Sequence, residues 1–126
     1  METTEINPLG SIHMSQRVLS IIASQAAASV PEVAALDATL ADTAAKKLGR
    51  VNPAQGVQTT IDGIDAEITI RLIAKYGCRI PDMALAVQKK VKDTLESMTG
   101  CRVHAVHIVV QDIVFPERNA EGSGYE

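Results

Sequence analysis

The sequence predicts an α+β fold, a mainly antiparallel β-sheet with two principal helices packed on one face. The first observation is an alternating hairpin after Gly56, which runs into an amphipathic helix and then into a last alternating strand ending before Pro116. The second is an earlier amphipathic helix that precedes this unit. The third is the alternation itself, which makes one sheet face apolar and the other largely polar, as in an antiparallel sheet covered on one side.

Length predicts one domain, since 126 residues are long enough for a single modest core. We expect residues 1–9 to be a flexible leader, residues 10–116 a single domain and residues 117–126 a disordered tail. The core must use Val, Ile, Leu, Ala and Met, because the chain has two Tyr, one Phe and no Trp. A net charge of −3 and so few aromatic residues argue against nucleic-acid binding.

Hydropathy predicts no direct membrane insertion, since no apolar run approaches the roughly 20 residues of a spanning helix. The N-terminal sequence METTEINPLG lacks the basic region and the apolar stretch of a signal peptide. We therefore expect a cytoplasmic protein, which would reach a membrane only through a partner.

In the first half of the chain, Ser15 is a plausible N-cap because its hydroxyl can accept a hydrogen bond from the first turn of a helix. Apolar residues then recur at helical spacing until Pro31. The predicted elements are a short strand Gly10–Met14, a helix Gln16–Ser29, an extended segment Val33–Leu36, a short helix Thr39–Leu48 and a loop Arg50–Gln55.

In the second half, Val57–Ile61 alternates and the Asp62-Gly63 pair predicts a hairpin turn. The next strand should bury one face, composed of Ala66, Ile68, Ile70, Leu72, Ala74 and Tyr76. A helix should begin at Pro81, whose missing N–H is tolerated in a first turn, and end at Gly100. Its apolar stripe would comprise Ala84, Val87, Val91, Leu95 and Met98. Val103–Phe115 would form the final strand, with Val106, Ile108 and Val110 on its apolar face.

Several short segments, in this order and spacing, resemble the alkaline shock protein / general stress protein family of bacteria. They comprise Ile12–Ser15, Val30-Pro31, Val33-Ala34, Leu48–Arg50, Gly56-Val57, Tyr76-Gly77, Ile80-Pro81, Val87-Gln88, Val91-Lys92, Met98–Gly100 and Val106–Pro116. Glu32 and Asp112 stand where the family often has glycine. The resemblance implies a small, non-catalytic cytosolic protein. Some relatives look like scaffolds recruited by a membrane-anchored partner, and other branches are linked to fatty-acid metabolism.

Two functions follow from this resemblance. The first is a protein-interaction module in bacterial cell-envelope stress response or homeostasis that also associates with itself. The alternative is a regulatory subunit that modulates a metabolic enzyme, for example in fatty-acid synthesis. An enzyme is disfavoured because the chain shows no nucleophile–base–acid set, and the family carries no catalytic residue to transfer.

The residues that could bind a cofactor or a metal are scattered. His104 and His107 are an odd number of residues apart, so in a regular strand they point to opposite faces. His13 would lie beside one of them only if the first strand paired with the last. Asp62, Asp65 and Glu67 cluster near the hairpin turn but lack calcium-loop spacing. We therefore predict no cofactor and no metal.

The other reactive or charged groups also have structural explanations. Cys78 and Cys101 flank the long helix, which at ~1.5 Å per residue keeps the two thiols far too distant for a disulfide. Lys89, Lys90 and Lys92 form a basic patch that Asp93 interrupts, as on a solvated helix face.

The polar face of the sheet is the candidate interaction surface. It comprises Thr69, Arg71, Ile73 and Lys75 on one strand and Ala105, His107 and Val109 on the last strand. If both helices cover the other face, these side chains are left partly exposed, and an exposed face of mixed apolar character is typical of a binding surface. The alternative is that Thr39–Leu48 folds over this face. Both possibilities are open from the sequence.

Overall fold

A computed structural model describes residues 2–36 and 56–115 of the chain. The strands are β1 (Glu2–Asn7), β2 (Gly10–Ser15), β3 (Val33–Leu36), β4 (Val57–Asp62), β5 (Asp65–Lys75) and β6 (Arg102–Val114), and the helices are α1 (Gln16–Ala28) and α2 (Ile80–Thr99). The predicted α+β class is confirmed, with two principal helices and mainly antiparallel pairing. The predicted helix Thr39–Leu48, the loop Arg50–Gln55 and the tail 117–126 lie outside the described residues.

Strand β5 is the centre of the main sheet. Along one edge it pairs antiparallel with β4 and then with β3, and along the other it pairs parallel with β6 over its whole length. The parallel pair is possible because α2 carries the chain back along the sheet between the two strands, as a parallel connection requires. A separate two-stranded hairpin, β1–β2, precedes this sheet.

The core lies between the two helices and one face of the sheet. The alternation of β5 buries the predicted residues Ala66, Ile68, Ile70, Leu72 and Ala74, and the helices contribute Leu19, Ala23, Met83, Val87, Val91 and Leu95. Two assignments to this core are wrong. Tyr76 is 62% exposed because β5 ends at Lys75, and Met98 is 65% exposed because the buried stripe of α2 ends one turn earlier.

Both helices end as their sequences predict. The Ser15 hydroxyl accepts a hydrogen bond from the Val18 N–H at 3.3 Å, which caps α1. Gly100 adopts a φ of +76° at the end of α2, a left-handed conformation that other residues take only at a cost. Buried hydroxyls of Ser20 and Thr59, 2.8 Å apart, join α1 to β4.

The turn between β4 and β5 is one residue further along than predicted. Asp62 is the last residue of β4 and pairs with Asp65, so the two-residue turn is Gly63-Ile64. Gly63 has a φ of +66°, which a hairpin of this length commonly requires. Glycine therefore occupies the first turn position rather than the second.

The N-terminal segment corrects the leader predicted over residues 1–9. Glu2–Asn7 forms β1, which pairs with β2 in register from Glu2 opposite Ser15 to Asn7 opposite Gly10. The turn is set locally, because the Asn7 side chain accepts a hydrogen bond from the Leu9 N–H at 2.8 Å. Strand β2 matches the predicted strand Gly10–Met14, whereas β1 escaped prediction because the described side chains of this hairpin are mostly exposed and show no apolar alternation.

Candidate interaction surface on the open sheet face

The structure brings the seven predicted surface residues together on the sheet face opposite the helices. Thr69, Arg71, Ile73 and Lys75 alternate along β5 with the buried residues, so they point away from the core. The parallel register sets Thr69 beside His107 and Arg71 beside Val109, while Ala105 lies beside Glu67. We call the sheet face that these seven residues occupy the open face.

The open face is accessible, although it is not uniformly exposed. Thr69, Arg71, Ile73 and Ala105 are half-buried by their neighbours, whereas Lys75, His107 and Val109 are exposed, Val109 by 42%. Within residues 2–36 and 56–115 both helices pack on the other face of the sheet. Whether Thr39–Leu48 approaches the open face lies outside the described residues.

A β-bulge overturns the prediction that His104 and His107 point to opposite faces. The register shifts by one residue between the Ala66–Val103 and Glu67–Ala105 pairs, which makes His104 the extra residue. His104 Nε2 then lies 3.4 Å from Asp65 Oδ2, and His107 Nε2 lies 2.6 Å from Glu67 Oε2. Asp65 and Glu67 are two residues apart on β5, so the two histidines reach the same side.

The carboxylates of this region are engaged by cationic or imidazole groups. Asp65 also accepts a hydrogen bond from Arg102 Nε at 2.8 Å. These pairs are largely exposed, so each contributes little to stability and mainly fixes side-chain orientation. Among the described residues, no group of three or more His, Cys, Asp or Glu side chains is arranged to hold a metal ion.

An aromatic pair, which sequence reasoning missed, lies just beyond β5 and β6 at their shared end. The ring centroids of Tyr76 and Phe115 are 4.5 Å apart, and the Tyr76 N–H donates to the Val114 carbonyl at 2.7 Å. Val114 lies opposite Lys75, on the same side of the sheet as Ile73 and Val109. A continued alternation had assigned Tyr76 to the core. Gly77, with a φ of +97°, was the signal that the strand had ended.

The remaining reactive groups lie away from this surface. Cys78 is half-buried before α2 and Cys101 is buried after it, and both thiols are free. Thr99 Oγ1 lies 3.0 Å from Cys101 Sγ and also donates to the Leu95 carbonyl, so it belongs to the end of the helix.

Neither helix in the described residues is long and apolar enough to cross a membrane.

Among solved structures, the chain is similar in fold to one named MamM-CTD. The TM-score is 0.48 at 11% sequence identity, and the match covers 78% of this chain and 99% of that chain. At this level the likeness carries no argument about function.

The sequence comparisons cover most of the chain. The model of the alkaline shock protein 23 family, described as having a cell envelope-related function, matches residues 4–115. The uncharacterized protein Spy1535 of Streptococcus pyogenes is 34% identical over 116 residues, 89% of this chain and 84% of its own. The uncharacterized protein YqhY of Bacillus subtilis is 27% identical over 113 residues, 90% of this chain and 84% of its own. The chain therefore belongs to the alkaline shock protein 23 family, whose function is cell envelope-related.

Proposed function

We propose that this protein is a non-catalytic interaction module in cell-envelope stress response or homeostasis, and that it binds a protein partner through the open face. One observation carries the proposal: both described helices cover one side of the sheet, while the other side presents partly exposed apolar side chains. Exposed apolar surface with a polar rim is typical of protein-binding sites.

The composition of the open face suggests how a partner would be recognised. Ile73 and Val109 lie near its middle, with Arg71 and Lys75 on β5 beside them. Desolvation of the two aliphatic side chains would supply affinity, because transfer of apolar surface from water is the main favourable term in association. The charged groups around them would fix the orientation of the partner and exclude others.

An envelope-related function also suggests where the partner lies. The family is described as having a cell envelope-related function. A membrane-anchored protein that presents a complementary surface would bring this chain to the envelope. A partner of this kind accounts for membrane proximity without insertion of the chain itself.

The test is a pair of double variants with matched chemistry. Ile73→Lys with Val109→Lys adds two charges to the middle of the open face. Leu85→Lys with Met98→Lys makes the same exchange on α2, at residues that are 50% and 65% exposed. Each tagged variant and the wild type are expressed in the native cell, and the proteins that copurify from membrane and soluble fractions are identified separately.

We expect the wild type and the α2 variant to retain one membrane-anchored partner, and the open-face variant to lose it while its circular dichroism stays unchanged. Retention by both variants would place the binding site elsewhere and overturn the proposal. Recovery of a biosynthetic enzyme in the soluble fraction, in place of a membrane protein, would support regulation of metabolism instead.

A further inference from the structure

The outer edge of β6 borders a groove and, among the described residues, pairs with no further strand. In the part of the chain that the structure describes, β6 pairs only with β5. Beside its other edge lies a groove of about 420 Å³, between α2 and the first half of β6. Gln88, Lys89 and Lys92 line the helix side of this groove, and His104 and His107 lie on the strand side.

Three side chains of α2 bond to the edge backbone of β6. Glu96 accepts from the Val103 N–H at 3.0 Å, Lys92 donates to the Val103 carbonyl at 3.3 Å, and Gln88 donates to the Val106 carbonyl at 2.9 Å. These are the hydrogen bonds that a neighbouring strand would otherwise make. They protect the edge in the single chain, since an unpaired strand edge invites pairing with another chain. All three fall between Arg102 and His107.

The second half of the strand differs in chemistry from the first half. Val109, Ile113 and Val114 are 42%, 44% and 40% exposed, and Asp112 is the one charged residue between Ile108 and Val114. Lys89 and Lys92 lie on the wall of the groove beside the first half, and Lys92 also pairs with Glu96 at 3.0 Å. Arg102 in the first half and Asp112 in the second half give the two ends of β6 opposite charges, which cannot pair with each other within a single chain.

The register of β6 makes this complementarity symmetric about His107. Arg102 lies opposite Asp65, His107 opposite Thr69 and Asp112 opposite Ile73. Thr69 is equally far from Asp65 and Ile73, so the two charged residues lie the same number of rungs on either side of His107. The two bulges of β6, one in each half, preserve this balance.

We propose that two copies of this chain pair antiparallel along β6, with the twofold axis at His107. Arg102 of each copy faces Asp112 of the other on the open side of the sheet, and Ala105 faces Val109. Oppositely charged and apolar pairs directly across antiparallel strands stabilise the pairing. The second copy is favoured over an unrelated peptide because one twofold axis satisfies both charge pairs at once, as an isologous interface requires.

This dimer deepens the proposed function, because it joins two sheets into one and sets two open faces side by side. The bonds from Gln88, Lys92 and Glu96 exchange for strand–strand bonds when the second copy enters the groove. The dimer is nevertheless measured independently of any other partner. A chain that stays monomeric and still captures its partner would overturn the dimer and leave the proposed function standing.

The test is a charge exchange between copies. Asp112→Arg places Arg against Arg102 of the second copy, and Arg102→Asp places Asp against Asp112. We expect each variant alone to require at least about tenfold more protein to dimerise than the wild type, which light scattering reads as a shift from 13.4 kDa toward twice that mass. Mixing the two variants should restore dimerisation, because both facing pairs become complementary again.

A second measurement covers the case in which Arg102→Asp, which also faces Asp65, fails to fold. His107→Cys puts two thiols across the axis, where directly opposed Cα atoms are about 4.5–5.5 Å apart, within disulfide reach. Mild oxidation should crosslink this variant. Thr60→Cys, exposed on β4 at the far edge, and the wild type with its native thiols are the controls. A wild type that is monomeric at all concentrations, or equal crosslinking of both variants, overturns the proposal.

Discussion

His104 is a single inserted residue that decides which side chains the open face presents. His104 has no residue opposite it in the register with β5, so the alternation of β6 shifts by one residue at that point. His104 and His107 therefore both reach carboxylates of the neighbouring strand. The alternation of β6 alone cannot reveal this, since a bulge is a property of two strands. The partner strand is separated from it by the whole of α2.

Truncation of Val91 should directly lower the stability of the core. It is fully buried between α2 and the sheet. Val91→Ala should lower the free energy of unfolding by about 1–3 kcal/mol, through lost transfer energy and the cavity that remains. Urea unfolding monitored by circular dichroism measures this change in the free energy of unfolding.

Lys89→Ala is the matched control on the exposed side of α2, and we expect a change within about ±0.5 kcal/mol. Lys92 would be a poor control, because it bonds to both Glu96 and the Val103 carbonyl. Equal effects of Val91→Ala and Lys89→Ala would contradict the assignment of the buried stripe.

Glu96 gives the stability of the protein a defined pH dependence. The hydrogen bond from the Val103 N–H, and then that from Lys92, hold the pKa of Glu96 below its ordinary value of 4.5. A carboxyl with a lower pKa in the folded state adds stability above its unfolded pKa, and this contribution is lost as the pH falls through the folded pKa. Glu96→Gln should therefore unfold at lower urea than the wild type at pH 7.

The same comparison at lower pH checks the sign. The difference between the two urea midpoints should shrink as the pH falls below 4.5 and be absent near full protonation of Glu96. A difference that is constant from neutral to acidic pH would mean that the carboxylate charge is not what holds Val103. Comparison of the two proteins cancels the titration of the other carboxyl groups.

At the scale of elements, local sequence signals predicted the features that local interactions determine. Ser15, Pro81 and Gly100 fixed the ends of both helices, and the alternation of β5 gave its buried face. Strand β1 left no pattern, because it lies in a hairpin whose described side chains are mostly exposed. The parallel pairing of β6, which joins segments on either side of α2, also escaped, since periodicity carries no information on strand direction.

The contact between α1 and β4 offers a test at this scale. The hydroxyls of Ser20 and Thr59 are buried, at 6% and 2% exposure, and hydrogen bond to each other. Ser20→Ala should cost about 1–3 kcal/mol, because it leaves the Thr59 hydroxyl buried without this partner. Adding Thr59→Val should recover much of that loss, since replacing both partners by apolar groups removes the unsatisfied hydroxyl.

A double-mutant cycle of urea unfolding measures the coupling between Ser20 and Thr59. Thr59→Val alone completes the cycle and is its control. Additive effects of the two substitutions would show that the hydroxyl pair does not join α1 to the sheet.

At the scale of the whole molecule, β5 pairs with β3, β4 and β6, and its buried side chains pack in one core with those of both helices. The class of fold and the four open-face residues of β5 were predictable because they follow from one alternating strand. What could not be predicted is the arrangement across strands: the two bulges, the aromatic pair at the strand ends and the bonds from α2 to the edge of β6. Each depends on residues that are distant in sequence.

The integrity of this core should not depend on metal or on oxidation. Both thiols are free, and the described residues contain no cluster suited to a metal ion. Thermal melts with a chelator, with a reductant and with neither should superimpose. A loss of several degrees with the chelator, or with the reductant, would contradict this expectation and point to a bound ion or a disulfide between copies.

The place of β6 in the chain also has a consequence during synthesis. β5 can pair with β4 as soon as the ribosome has released Lys75, but its other edge waits for β6, which ends roughly forty residues later at Val114. At elongation rates of about 5–20 residues per second, that interval lasts on the order of 2–8 s. Throughout it, one edge of β5 stays unpaired, so faster synthesis of the last segment should reduce misassembly between chains on neighbouring ribosomes.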